Sequence, residues 1–380
     1  MTGKTTPIQA EERQERIQRL HRMMDTQNID ATIITPGSNM RYFFGLGWRE
    51  SERLVAALVQ PASTTFICPK FEDSALYSHL KGDFEYIFWE EHENPHAIFA
   101  VLCQDKKLSA IALDPNCSFG HANDLQMAIP RIPMSNAHTL IAQLRACKSE
   151  HELSLLQTAK NITLSVHMEI FKWLRPGVRT SEVIREIDHL HRQKGADNGS
   201  TFCAVQFGEG TAHPHGVPGD PKLRADDIVL IDTGCQTDGY NSDITRTYAL
   251  NKQSPEVERI WSIEKDAQAA AFNAATLGSS CESVDIAARN ILRANGLGPE
   301  YRLPGLPHRT GHGIGLDIHE GPYLVLGDKT PLAPGMCFSN EPMIVVPDAY
   351  GVRLEDHFYM TDTGPVWFTE PQHSLYHPFS

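Results

Sequence analysis

Residues 227–250 read DIVLIDTGCQTDGYNSDITRTYAL. An apolar run, Ile228–Ile231, ends on Asp232, and a second strand-like run opens on Asp243. Between them stands Asp238-Gly239, a dipeptide suited to a tight hairpin because both positions tolerate a positive φ. Antiparallel pairing sets the two aspartates on neighbouring strands, roughly opposite each other. Two carboxylates that close repel unless a proton or a cation lies between them. The hairpin therefore predicts a charged site as well as a sheet.

Further along, HRTGHGIGLDIHEGP (308–322) crowds three histidines and four glycines into fifteen residues. Glycines let a backbone come close to something, and imidazoles bind metals or move protons. Two glutamates in strand-like surroundings complete the pattern: Glu341 in SNEPMIVV and Glu355 in GVRLEDHF. Taken singly, a strand-end aspartate caps a turn, and a buried glutamate before proline forms a structural ion pair. Asp232, Asp243, His312, Glu341 and Glu355 taken together make an oxygen-rich set for two divalent ions. Such a set suits Mn, Fe or Co at least as well as Zn.

Outward from this core the chain reads as two domains, 1–147 and 148–380. In the first, an amphipathic helix over 11–28 precedes four strands in DATIITP, LVAALVQP, STTFICP and DKKLSAIALD, with helices around 72–80 and 94–104. This is a small α/β layer without catalytic clustering. The second domain opens on a long helix marked by a Ser149/Glu152 capping box, followed by a helix that Gly195 ends. Strands STFCAVQFG, DDIVLIDTGC and SDITRTYAL follow, then helices over 255–276 and 281–296, then short strands and loops.

A net charge of −13 argues against nucleic-acid and anionic-membrane partners. The opening residues lack the apolar core of a secretory signal, and no apolar run approaches the roughly 20 residues of a membrane span. Eight cysteines without a C-x-x-C pair read as free thiols in a reducing compartment. The expectation is a cytoplasmic protein.

DTGCQTDGYNSDITRT, GHGIGLDIHEGP, MCFSNEP and GVRLED, in that order, resemble the signature of the pita-bread metallopeptidases. That family includes methionine aminopeptidases, Xaa-Pro aminopeptidases and Xaa-Pro dipeptidases (prolidases). The match spans roughly 150–365. SNMRYFFGLGWRESERL (38–54) more loosely resembles the N-terminal domain of the prolidase and Xaa-Pro aminopeptidase branch. The implied fold is a small creatinase-like N-terminal α/β domain followed by a pita-bread α+β catalytic domain.

The resemblance implies roles. Asp232 would chelate one ion, Asp243 and Glu355 would bridge both, and His312 and Glu341 would complete the second. His215, in AHPHGVP, matches a histidine near the substrate amide, in preference to His213, which reads as a loop imidazole. His319 matches one that contacts the scissile carbonyl. Two ions about 3.5–4 Å apart would share a water and lower its pKa, so that a bridging hydroxide attacks. Glu341 would carry the proton to the departing nitrogen. Arg353 shares a strand face with Glu355, and its fork is expected on Asp243, Glu355 or a substrate carboxylate. Thr245 is expected to hydrogen-bond a metal-binding carboxylate.

The implied activity is hydrolysis of Xaa-Pro dipeptides, with Mn as the first choice of metal and a homodimer as the assembly. A short, single first domain favours a dipeptidase over an aminopeptidase. The interval YLVLGDKT (323–330) departs from the prolidase pattern by offering only Lys329 as a carboxylate anchor. Arg309, Arg353, or Arg41 and Arg49 from a partner subunit are the alternatives. Non-peptide C–N hydrolases of the same fold, such as ectoine hydrolase, and a non-catalytic binding module are the competing classes.

Overall fold

A computed structural model describes residues 5–214 and 216–379. The chain divides into two compact units, Ile8–Arg145 and the chain from Ala146 onward with residues up to Pro7. Among the described residues no helix is long and apolar enough to cross a membrane. All eight cysteines are free thiols.

The first unit is one sheet flanked by helices. Its strands are β1 (Ala31–Ile34), β2 (Ala56–Val59), β3 (Thr64–Pro69), β4 (Glu85–Trp89), β5 (Ile111–Leu113) and β6 (Met134–Asn136). They lie in the order β4-β3-β2-β1-β5-β6. Helices α1 (Ala10–Thr26), α2 (Ser38–Phe44), α3 (Asp73–His79), α4 (Pro95–Asp105), α5 (Phe119–Ala128) and α6 (His138–Ala146) accompany them. Ile33, Ile67, Phe99, Leu113 and Leu125 share its core. Four strands were expected and six are present. β4 is an edge strand whose aromatic run is embedded in charges, and β6 has three residues with two exposed, so neither carries the alternation that marks a half-buried strand.

The second unit begins with α7 (Glu150–Trp173) and α8 (Thr180–Gln193). The capping box is formed: Ser149 Oγ accepts from the Glu152 backbone and Glu152 Oε2 accepts from the Ser149 backbone. Next come β7 (Ser200–Phe207), β8 (Ile228–Thr237), β9 (Tyr240–Asn241) and β10 (Ile244–Ala249), with β8 central between β10 and β7. Helices α9 (Pro255–Ala274) and α10 (Cys281–Ala294) follow. The remaining strands are β11 (Gly311–Gly313), β12 (Glu320–Leu324), β13 (Cys337–Asn340), β14 (Met343–Val346), β15 (Tyr350–Arg353), β16 (Asp356–Thr361) and β17 (Gly364–Trp367). β12-β11-β13-β16-β17 form a second sheet, and β14 pairs with β15. The result is the two-domain α/β architecture with a pita-bread C-terminal part.

Strand alternation aims the site. Val229 and Ile231 of β8 pack with Val166, Ile187 and Tyr248 on the α7/α8 side. Ile228 and Leu230 turn the other way, into the core shared with α9, α10, Phe338 and Phe358. Asp232 has their parity, so it emerges toward the second sheet. The Asp238-Gly239 turn forms with positive φ at both residues, 46° and 78°. In the resulting register Thr245 faces Asp232. Asp243 therefore lies level with Gly234, and the two aspartates are diagonal neighbours on one face instead of directly opposite.

Gly234 is required where it stands. A Cβ there would lie 1.9 Å from the Ser242 carbonyl oxygen, a backbone atom that no rotamer change can move aside. Gly234→Ala is expected to destabilise the protein by about 2–3 kcal/mol, as overpacking does. Denaturant unfolding measures this; a midpoint equal to wild type would show that the strands separate freely at this point.

Candidate metal centre

Asp232, Asp243, His312, Glu341 and Glu355 converge in the second unit, on the wall of a cleft of about 570 Å³. They come from the middle of β8, the residue before β10, β11, the turn after β13 and the β15–β16 junction. Among the described residues, every trio of donor atoms spaced to hold a metal ion falls here: Asp232/Asp243/Glu355, His312/Glu341/Glu355 and Asp243/His312/His319.

His312 is oriented for donation. Its Nδ1 donates to the Gly313 carbonyl at 3.0 Å, and its backbone N–H donates to Ser339 Oγ at 2.9 Å. The ring's Nε2 then faces Glu341 Oε1 at 3.0 Å and Asp243 Oδ2 at 3.8 Å. Gly311, next to it, lets β11 approach β13: a Cβ would meet the Ser339 carbonyl oxygen at 2.1 Å.

The carboxylates are fixed from behind. Thr245 Oγ1 donates to Glu355 Oε2 at 2.7 Å and accepts from Arg353 Nε at 3.0 Å. Ser339 Oγ donates to Glu341 Oε1 at 3.1 Å. The Arg353 fork holds Asp232, with Nη2 donating to Oδ2 at 2.5 Å and Nη1 donating to the Pro214 carbonyl at 3.3 Å. The expected partners, Asp243 or Glu355, are not the ones it engages. β10 presents Thr245 opposite Asp232, and the guanidinium spans that pair.

Burial, together with Glu355, Asp232 and Glu341, pushes the Asp243 carboxyl well above the usual carboxylate range. Glu355 is driven up by burial, Glu341 and Asp232, against the pull of Arg353 and Thr245. Burial would lift Glu341 too, but the His312 and His308 rings and Arg353 hold it well below its ordinary value. The cluster thus divides: Glu341 favours its ionised form, while Asp243 and Glu355 resist ionisation.

The donor set fits divalent cations. Asp232 Oδ1, Asp243 Oδ1, His312 Nε2 and Glu355 Oε1 are all buried without a hydrogen-bond partner. Four such orphans converging in one place is a costly arrangement for a protein interior and an ordinary one for metal ligands.

His319 is exposed at the cleft, its ring 4.1 Å from that of His312. His215 lies outside the described residues. His213 is exposed and its carbonyl accepts from the Gly216 N–H at 2.9 Å. Lys329 pairs with Glu282 on the surface and does not line the cleft, whereas Arg309 does. Sequence reasoning passed over His308, which also lines the cleft and has its Nε2 buried without a partner. Its only signal is position, four residues before His312. Phe202, Pro214, Pro307 and Ile318 supply an apolar part of the wall.

Residues 154–362 match metallopeptidase family M24, and residues 16–147 match the creatinase/prolidase N-terminal domain. The sequence is 34% identical over 348 residues to "Probable dipeptidase PepE" of Mycobacterium tuberculosis, covering 90% of each chain. Dipeptidase PepE from Mycobacterium ulcerans superposes with a TM-score of 0.90 at 31% identity, over 97% of this chain and 99% of that one. A prolidase from Thermococcus sibiricus gives 0.88 at 29% identity, over 95% and 98%.

A carboxyl whose pKa rises on folding favours the folded state while protonated, and that contribution is lost as pH climbs through the raised value. Asp243 and Glu355 therefore weaken the metal-free protein over the range of pH above the ordinary carboxylate values. Glu341 acts oppositely, but its contribution is lost only at far more acid pH. The unfolding temperature of chelator-treated protein is expected to fall over this range. Added Mn should raise it, more at pH 8 than at pH 5, by mass action. A midpoint indifferent to both cation and pH would contradict the arrangement.

Proposed function

The chain belongs to metallopeptidase family M24, and from that premise we propose that it hydrolyses Xaa-Pro dipeptides using two divalent metal ions, manganese by preference. As a family member it is a peptidase and uses divalent metal. The proposal adds the substrate, the number of ions and the roles of residues. The observation that carries it is the convergence of four carboxylates and one imidazole, four of the five with a buried atom lacking a hydrogen-bond partner, beside an apolar wall of Phe202, Pro214, Pro307 and Ile318. Such a wall suits a proline ring. The T. sibiricus relative, a prolidase, lends the same support.

In this reading Asp232, Asp243, His312, Glu341 and Glu355 hold the ions. When bound, they supply Lewis acidity toward the scissile carbonyl and toward water. Arg353 and Thr245 orient Asp232 and Glu355, so the ligand oxygens are aimed before any cation arrives. Glu341 accepts a proton at a carboxylate oxygen and returns it to the proline nitrogen. That step is needed because a tertiary amide nitrogen leaves only when protonated. His319 donates to the oxyanion as charge develops there. His215 orients or protonates the leaving nitrogen. We assign this chemistry to residues 148–380, with 1–147 as the N-terminal domain. A cytoplasmic homodimer completes the proposal, and light scattering tests the assembly.

Asp243→Ala is expected to abolish the metal-induced rise in unfolding temperature and to lower turnover by at least about 10³-fold. Normal activity in that variant would remove the site. His215→Ala should keep the metal-induced rise while slowing turnover by about 10²–10³-fold. An unchanged kcat would move its role to His213. The reading as a whole is tested by dipeptides and tripeptides with proline second, assayed with Mn, Co and Zn, with ectoine as a non-peptide control. Turnover of Xaa-Pro but not Xaa-Pro-Xaa supports a dipeptidase; turnover of both marks an aminopeptidase.

A further inference from the structure

Among the described residues the cleft holds two guanidinium groups. Arg353 is committed to Asp232. Arg309 forms no ion pair with a described residue. It is half-buried, and its guanidinium carbon lies 4.4 Å from the centroid of the Tyr323 ring. We infer that Arg309 binds the free carboxylate of the substrate's C-terminal residue and so sets a preference for dipeptides over longer peptides. This rests on the Xaa-Pro hydrolase reading above.

Strand register places the group. Tyr323 of β12 pairs directly with His312 of β11. Directly opposed residues project from the same face of a sheet. A guanidinium seated on Tyr323 is therefore held on the face from which His312 reaches the carboxylate cluster. The platform also serves specificity. An arginine lying on an aromatic ring is attracted to the π face, and its planar fork keeps edge N–H donors for a bidentate acceptor.

The substrate supplies a matching distance. From the scissile carbonyl carbon, three bonds through the proline nitrogen and Cα lead to the terminal carboxylate carbon, a span of about 4 Å. A bidentate guanidinium–carboxylate contact adds about 4 Å between carbons, with N–H···O separations near 2.8 Å. The anchor must therefore sit within about 8 Å of the reacting carbon. Arg309 lines the same cleft as the carboxylates, three residues before His312 and stacked on the strand partner of His312. Lys329, the cation of the 323–330 segment, is spent on Glu282 at the surface. A peptide extended past proline has an amide where the dipeptide has a carboxylate, and gains nothing from Arg309.

The test compares Ala-Pro with Ala-Pro-amide on Mn-loaded wild type, R309M and R309K. Wild type is expected to favour the free acid in kcat/KM by on the order of 100-fold, the worth of a charge-assisted contact. R309M should bring that ratio toward one, chiefly through KM of the free acid, and R309K should keep part of it. A wild-type ratio near one, or a ratio that R309M leaves unchanged, overturns the inference. Calorimetry with proline and prolinamide gives a readout independent of turnover. Wild type should bind proline at least tenfold more tightly than prolinamide, and R309M should lose the difference; equal binding by wild type overturns the inference. Should wild type cleave no Xaa-Pro substrate, the Xaa-Pro reading fails, and the two binding constants still decide whether Arg309 recognises a carboxylate. If R309M does not fold, R309K and the wild-type comparisons carry the same decision.

Discussion

Mutual repulsion among Asp232, Asp243, Glu341 and Glu355 is the constraint around which the second unit is organised. Each would keep its charge at little cost in water. Brought together under cover, burial and the neighbouring acids raise the pKa of the almost wholly buried Asp243 and Glu355 and leave oxygens without donors. A fold tolerates this only if surrounding groups fix the acids and something positive sits between them. The fixing groups are visible: Arg353 on Asp232, Thr245 on Glu355 and Ser339 on Glu341.

A second tier of buried charge supports the first. Arg246, on β10, forms a fully buried ion pair with Asp356 at 2.7 Å and donates from Nη1 to the Glu355 carbonyl at 2.9 Å. Gln268 of α9 donates to the Leu354 carbonyl at 3.1 Å and to Asp356. These contacts hold the backbone on both sides of Glu355, so its carboxylate is aimed by the main chain as well as by Thr245. Deleting one partner of such a pair strands the other charge in the interior, which costs more than the pair contributes.

The cleft joins two kinds of wall. The acidic floor suits cations, and the Phe202, Pro214, Pro307 and Ile318 side suits a ring without N–H groups to satisfy. The two guanidinium groups have unlike surroundings. One lies behind the acids as a brace, and the other lies on an aromatic ring where it can face a ligand.

The local sequence determined much of this. The apolar run 228–231 with Asp238-Gly239 was enough for the hairpin, and hence for two acids on one face, because strand parity and turn chemistry act over a few residues. Ser149 and Glu152 marked the start of α7 for the same reason. The order of the motifs carried the family. Only tertiary structure decided that the Arg353 fork takes Asp232, that Asp243 lies diagonal to it, and that His308 and Arg309 reach the cleft while Lys329 does not. It also decided that the first unit's sheet has six strands instead of four, since β4 and β6 are edge strands, each held by parallel pairing with the strand before it. Pairings between residues a hundred positions apart depend on the register of whole strands and on which side chain arrives first at a shared acceptor, and no local pattern of residues records either.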